Sequence, residues 1–171
     1  PDTLIDLNGI AELRFIRESE TSIEIGAMTR YADLEQAPLV IEHARLLTRA
    51  LPHIAHSAIR NRGTIGGSAA LADPAAEMPA LLIAMGATLA LRSLSSARTV
   101  PADEFFLGLY ETALKDGEII EFISIPKLGS ADQIGFYELA RRHGDYAMAG
   151  VALVHRAAGA LAGQRVIFFA I

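Results

Sequence analysis

Apolar and polar residues alternate through residues 13–17 and again through 22–28, with the polar run Glu18-Ser19-Glu20-Thr21 between them. A period of two sends successive side chains to opposite faces, so this segment reads as a β-hairpin. A short strand is also expected over residues 3–7. The period then changes. Residues 31–37 start a helix that Pro38 interrupts, and residues 39–53 carry Leu39, Ile41, Ala44, Leu46, Leu47, Ala50 and Leu51 at helical spacing. Residues 54–62 lead into a glycine-rich loop. A strongly apolar helix follows over 75–85, with Asp73, Pro74 and Glu77 at its start. Proline and acidic groups suit that end of a helix, where the first N–H groups are unpaired and the dipole is positive.

Residues 88–92 and 99–100 read as strands about a serine-rich turn, 101–106 as a polar-to-apolar entry, and 119–125 as a strand closed by Pro126. The chain then passes through Lys127-Leu128-Gly129-Ser130-Ala131-Asp132, a linker by composition. Strands are expected over 136–142, 148–156 and 164–171, the last two joined by a turn at Ala157-Ala158-Gly159-Ala160. Strands and helices mix without strict βαβ alternation, which predicts an α+β fold.

Composition narrows this reading. The chain has 171 residues, 51% hydrophobic and 20% charged, and its mean hydropathy of +0.32 is that of one or two globular domains rather than a disordered chain. The apolar runs at 78–91 and 147–154 are too short or too interrupted by glycine to span a bilayer, so a soluble protein is expected. A net charge of −5 supplies no basic footprint for nucleic acid. Cysteine is absent, which excludes disulfides, zinc-thiolate centres and cysteine-held iron–sulfur clusters from this sequence. The sequence opens on Pro1 and ends in an apolar strand pattern, and a fragment of a longer chain is expected.

The densest chemistry lies in residues 59–79, IRNRGTIGGSAALADPAAEMP. Gly63, Gly66 and Gly67 flank Thr64 and Ile65, and glycine lets backbone N–H groups approach an anion with no Cβ in the way. Asp73 and Glu77 follow closely as acceptors for sugar hydroxyls. Together these suit a nucleotide with a diphosphate and a ribose. The spacing is neither GxxxxGK[ST] nor GxGxxG, so neither common phosphate motif is present. Taken alone, the loop reads equally as a tight turn, Asp73 and Glu77 as helix-capping acids, and Ile54 and Ile120 as ordinary core residues.

The string IRNRGTIGGS followed by ADPAAEMPA resembles the second flavin-binding motif of the medium, FAD-binding subunits of molybdenum hydroxylases, the carbon monoxide dehydrogenase and xanthine dehydrogenase family. Further family-like stretches are Pro1-Asp2-Thr3-Leu4-Ile5-Asp6-Leu7, Ile25-Gly26-Ala27-Met28-Thr29, Phe105-Phe106-Leu107-Gly108-Leu109-Tyr110, Gly117-Glu118-Ile119-Ile120 and Arg141-Arg142-His143-Gly144-Asp145-Tyr146-Ala147. They cover the whole length in order. The resemblance implies a flavin-binding domain of the vanillyl-alcohol-oxidase/PCMH type over residues 1–127, lacking its N-terminal portion. It also implies the beginning of a small α+β C-terminal domain with an antiparallel sheet over residues 133–171. Thr64, Ile65, Gly66, Gly67 and Ser68 would form the diphosphate-binding loop, with backbone N–H groups and the two hydroxyls as donors. Asp73 and Glu77 would reach ribityl or ribose hydroxyls. Ile54 and Ile120 would lie against the flavin nucleotide, and Tyr110 could cover a flavin face.

Four positions depart from the family pattern. Relatives often carry Asn where Ser68 stands and His where Leu71 stands, several carry Asp where Glu77 stands, and many carry Lys near Glu138. The resemblance also implies partners: a large subunit with the molybdopterin cofactor and a small subunit with 2Fe-2S clusters, assembled as a dimer of heterotrimers in the cytoplasm. The expected activity is oxidoreductase, with FAD passing electrons from the partner's clusters to an external acceptor. Two alternatives stand beside it, a self-contained flavin oxidoreductase with the same flavin domain and a scaffold without flavin. His53 and His56 have a spacing that can ligate metal on a helix, but no third ligand is evident, and no nucleophilic triad is visible.

Overall fold

The computed structural model describes residues 2–159 and 161–171. Ala160, part of the last expected turn, and Pro1 lie outside the described residues. A 3₁₀ turn at Ala11–Leu13 precedes strands β1 (Ile16–Glu18) and β2 (Ser22–Gly26). Helices α1 (Tyr31–Gln36), α2 (Pro38–His43) and α3 (Arg45–Ala50) follow, then a 3₁₀ turn at Leu51–His53 and helix α4 (Ser57–Arg60). Helices α5 (Ile65–Leu71) and α6 (Glu77–Met85) lead into β3 (Thr88–Arg92), β4 (Ala97–Pro101) and the one-turn helix α7 (Ala102–Phe105). Strands β5 (Phe106–Gly108), β6 (Glu111–Thr112), β7 (Ile119–Pro126), β8 (Gln133–Ala140), β9 (Ala147–Arg156) and β10 (Gly163–Phe169) complete the chain.

Mixed helices and antiparallel sheets match the α+β expectation. A five-stranded sheet has the order β1-β2-β7-β3-β4, and a three-stranded one the order β10-β9-β8. Every strand pair is antiparallel. The expected hairpin over residues 13–28 is β1–β2, in the register Ile16↔Ile25. Ile23, Ile25, Leu89, Leu91, Ile123 and Ile125 are buried on one face of the larger sheet. Helix α6 is buried nearly all round, from Met78 to Met85, and packs against β7, β9 and β10. A helix apolar on all sides belongs between layers, and one hydrophobic core runs continuously from the larger sheet through α6 to Phe136, Ala152 and Phe169.

The segment joining the two sheets is held by arginine. Arg156 on β9 donates to the carbonyls of Lys127 at 2.9 Å, Pro126 at 3.0 Å and Met85 at 3.3 Å, and Arg45 on α3 donates to Gly129 and Asp132, each at 2.9 Å. Planar guanidinium groups satisfy several carbonyls at once in a stretch with no ladder of its own.

Five expectations change. Residues 3–7 form no strand: Leu4 and Ile5 are 88% and 80% exposed, and none of the described strands pairs with them. The long helix over 39–53 is broken at Ala44 (φ −125°, ψ 52°), because the His43 carbonyl accepts from Leu128 N–H at 2.9 Å instead of continuing the helix. The entry at 101–106 contains α7, and Arg141 and Arg142 lie in the β8–β9 turn rather than in the strand. The glycine-rich loop is itself helical, with consequences for the site.

Candidate functional site

Thr64 is the N-cap of α5: its Oγ1 accepts from Gly67 N–H at 3.1 Å. The other N–H groups of this turn also have partners. Ile65 N–H donates to Thr29 O at 3.1 Å, Gly66 N–H to Ala27 O at 2.9 Å, and Ser68 N–H to Thr64 O at 3.1 Å. The expected row of free N–H donors is therefore a helical turn docked on residues 27–29. Of these bonds the Gly67–Thr64 cap lies exposed. Gly66 is required by close approach, since a Cβ there would stand 2.4 Å from Ala27 Cβ and 2.7 Å from its carbonyl oxygen. Sequence favoured a loop because Ile-Gly-Gly is a poor helix former; docking against residues 27–29 overrides that preference.

Helix α5 divides two clefts. The first, of about 240 Å³, is lined by Tyr31, Ile54, Ser68, Asp73, Glu77 and Tyr146 among others. The second, of about 180 Å³, includes Leu13, Ala27, Gly66, Gly67, Glu118 and Ile120 in its lining. The sequence-derived residues are thus distributed. Ile54, Ser68, Asp73 and Glu77 share one cleft, Gly66, Gly67 and Ile120 share the other, and Thr64 heads the helix between them. Ile65 is wholly buried and anchors the helix in the core. Tyr110 is exposed at the tip of the β5–β6 hairpin, with a left-handed φ of 57° and its N–H on Ala72 O.

The walls follow from local structure. Between the pairs Ala90↔Phe122 and Leu91↔Ile120, β7 carries one extra residue, Glu121, whose carbonyl accepts from Ala27 N–H at 3.0 Å. Such a bulge re-aims the flanking side chain, here Ile120, toward the second cleft. In the first cleft the Tyr31 phenol hydrogen-bonds the Ser68 hydroxyl, and burial keeps that phenol protonated well above its ordinary range. Asp73 Oδ1 accepts from Ala75 N–H at 2.9 Å, the turn that precedes α6. Gly144 (φ 87°) brings the β8–β9 turn over the rim, where a Cβ would meet His56 Nδ1 at 2.7 Å.

Electrostatically the first cleft is acidic. Burial, and then the neighbouring Glu138 carboxyl, push Glu77 up to about 7. Glu138 is raised as well, again by burial. The Asp73 carboxylate raises the Tyr146 phenol. Burial and then His143 lower His53, whose ring lies 5.2 Å from that of Phe136 and 5.7 Å from that of His143. His53 and His56 occupy different elements, and among the described residues no three metal-ligating side chains converge. At the second cleft Glu118 is pulled down to about 2 by Arg98, helped by Lys115 N–H. Sequence reasoning missed Tyr31, Glu118, Tyr146 and the meeting of Glu77 with Glu138. These rest on long-range packing that no local spacing announces.

The described arrangement fits a flavin nucleotide. Gly67 lies at the surface of the second cleft, where a Cβ would come within 2.9 Å of Thr64 Oγ1 and fill the cradle. Buried carboxylates and a hydroxyl sit opposite apolar walls in the first. The family described as the FAD binding domain in molybdopterin dehydrogenase matches residues 1–128, and the chain belongs to it. It is 44% identical over 159 residues to the carbon monoxide dehydrogenase medium chain of Hydrogenophaga pseudoflava, covering 93% of this chain and 55% of that one. It is 40% identical over 154 residues to the 6-hydroxypseudooxynicotine dehydrogenase complex subunit alpha of Paenarthrobacter nicotinovorans, covering 90% of this chain and 52% of that one. The fold superimposes on a structure of the Hydrogenophaga pseudoflava carbon monoxide dehydrogenase lacking the Mo-pyranopterin moiety with a TM-score of 0.91 at 42% identity, over 96% of this chain and 57% of that chain. The chain spans about half the length of the curated relatives it matches.

Proposed function

We propose that this chain is the FAD-binding part of the medium subunit of a molybdenum hydroxylase. The observation that carries the reading is the placement of Ser68, Asp73 and Glu77 in one cleft and Gly66, Gly67 and Ile120 in the other, on the two flanks of a helix capped by Thr64, within the family-matched segment. When bound, FAD would supply the redox chemistry, accepting electrons from iron–sulfur clusters of a small subunit and passing them to an external acceptor. The chain's own residues position and tune. The Thr64 and Ser68 hydroxyls, at the exposed cap that Gly67 completes, would meet the diphosphate. Asp73 and Glu77 would accept from ribityl or ribose hydroxyls, and Ile54 and Ile120 would supply apolar contact. Ile65 anchors the helix that carries Gly67 and Ser68.

Residues 1–127 would constitute a flavin domain of the vanillyl-alcohol-oxidase/PCMH type, with residues 133–171 belonging to a second unit. The end of the family match at residue 128 supports that division. A large molybdopterin-bearing subunit and a small 2Fe-2S subunit would complete a dimer of heterotrimers in the cytoplasm. Relatives that carry the names "medium chain" and "complex subunit alpha" favour a complex of several subunits. The test is the visible spectrum and released flavin of the full-length polypeptide, purified with its co-encoded neighbours. Stoichiometric FAD, lost in Gly67→Asp, is the expected outcome. A wild-type complex without flavin would overturn the proposal.

A further inference from the structure

Glu77 opens α6 in the wall of the first cleft and is only 6% exposed. Glu138 reaches it from β8, and its Oε2 is buried with no hydrogen-bond donor. Among the described residues neither carboxyl takes part in an ion pair. The groups facing the pair are His53 of the Leu51–His53 turn with Arg49 of α3 behind it, His143 stacked on His53, Tyr31 of α1, and Tyr146 beside Asp73. Among the described residues no lysine or arginine pairs with either carboxyl.

Two carboxylates packed together and shielded from water are costly to hold doubly ionised near neutral pH; one proton shared between them gives the orphaned oxygen a donor. We propose that the Glu77–Glu138 pair is a proton-binding site coupled to the first cleft, so that binding FAD takes up one proton from solvent onto this pair. The inference rests on the FAD reading given above. Its physical basis is charge: the diphosphate brings two negative charges to α5, the helix that borders the first cleft, and a pair already carrying one proton repels them less than a doubly ionised pair. The upward displacement of Glu77 to about 7 agrees with a proton held near neutrality.

The sign follows. Below neutrality the pair already holds its proton and affinity does not change on that account. Above it the free pair has lost the proton, FAD must recapture it, and affinity falls by up to tenfold per pH unit. The experiment is a titration of FAD into the deflavinated full-length protein from pH 6 to 9, followed by flavin fluorescence, with calorimetry at pH 8 in phosphate and in Tris to count protons. Expected are a slope of log Kd against pH approaching one above pH 7 and an uptake near one proton. In Glu138→Gln the amide donates to the Glu77 carboxylate and keeps it ionised, so the slope above pH 7 vanishes. A slope that survives Glu138→Gln would assign the proton to Glu77 alone or to a group outside the pair, and overturn the inference. A flat wild-type profile with no proton uptake would overturn it while leaving the FAD reading intact. Absence of FAD binding at every pH would overturn both. The calorimetric count in wild type decides the matter if the variant does not fold.

Discussion

Glu118 and Glu77 each reach into one of the two clefts beside α5, and the structure treats the same side chain in opposite ways. Glu118 meets a fork: Arg98 Nε and Nη2 each donate at 2.8 Å, and Lys115 N–H adds a third bond at 2.9 Å. Its carboxyl is held ionised, down to about 2. Glu77 is buried against Glu138 and is pushed up to about 7. Position beside a ligand cleft does not decide the state of an acid; the donors that accompany it do. The second cleft has a rigid wall with its polar groups satisfied. The first has a pair left short of one donor, and such a deficit is where ligand binding and proton binding can become linked.

The ridge that separates the clefts is the place to break the comparison hardest. Gly66→Ala would drive a Cβ into Ala27 backbone and side chain at once. Backbone on both sides leaves no flexible chain end to yield, so α5 must shift as a body. Overpacking of this kind costs about 3 kcal/mol. The urea midpoint should drop accordingly, and FAD should be lost at temperatures where the chain is still folded. An unchanged midpoint would mean that α5 does not dock as described.

Glu77→Gln should act in the other direction and only at high pH. An acid whose folded pKa is raised binds its proton more tightly folded than unfolded, so the folded state loses stability as pH climbs from about 4.5 to about 7. Glutamine carries no charge to bury. Each pKa unit is worth about 1.4 kcal/mol, and the displacement is shared with Glu138, so a gain of about 2 kcal/mol at pH 8 is expected. At pH 4 wild type and variant should unfold alike. Equal stabilities at pH 8 would mean that Glu77 is ionised without cost and that the two clefts do not differ electrostatically.

How much of this contrast could be read in the residues themselves follows from range. The β1–β2 hairpin and the strands β3, β7 and β9 come from their apolar patterns, and α6 from an apolar run with Asp73, Pro74 and Glu77 at its start, all local properties that survive folding. Gly66, Gly67, Asp73 and Glu77 stand out because the motif concentrates them within one short stretch. What was illegible is non-local. Leu128 ending α2, residues 27–29 turning an Ile-Gly-Gly segment into helix, and β8 delivering Glu138 to Glu77 each depend on a partner distant in sequence. Residues 3–7 have the composition of a strand, yet strand pairing needs a neighbour, and none of the described strands lies beside them.

Thr64→Ala tests the head of the ridge more gently. It removes the cap acceptor for Gly67 N–H, a loss of about 1 kcal/mol. If the Thr64 hydroxyl also meets the diphosphate, FAD affinity should fall further than stability does. Thr64→Ser, which keeps the acceptor, should restore both. A matched loss of stability and affinity would assign Thr64 to the helix alone.

The smallest effect is expected from Glu118→Gln at the satisfied cleft. The glutamine can accept from Arg98 through one oxygen but presents an amide where the second donor arrives, so the fork becomes a single bond. Arg98 is partly exposed and water replaces much of what is lost, which keeps the change below that of the Thr64 cap. Its pH dependence mirrors that of Glu77. A carboxyl whose folded pKa is depressed supports the fold above about 4.5 and gives up that support as pH falls toward about 2. Wild type and Glu118→Gln should therefore differ at pH 7 and converge at pH 2, read by amide exchange of Leu114 and Lys115 next to the fork. A difference that persists at pH 2 would show that Glu118 holds this wall by packing rather than by charge.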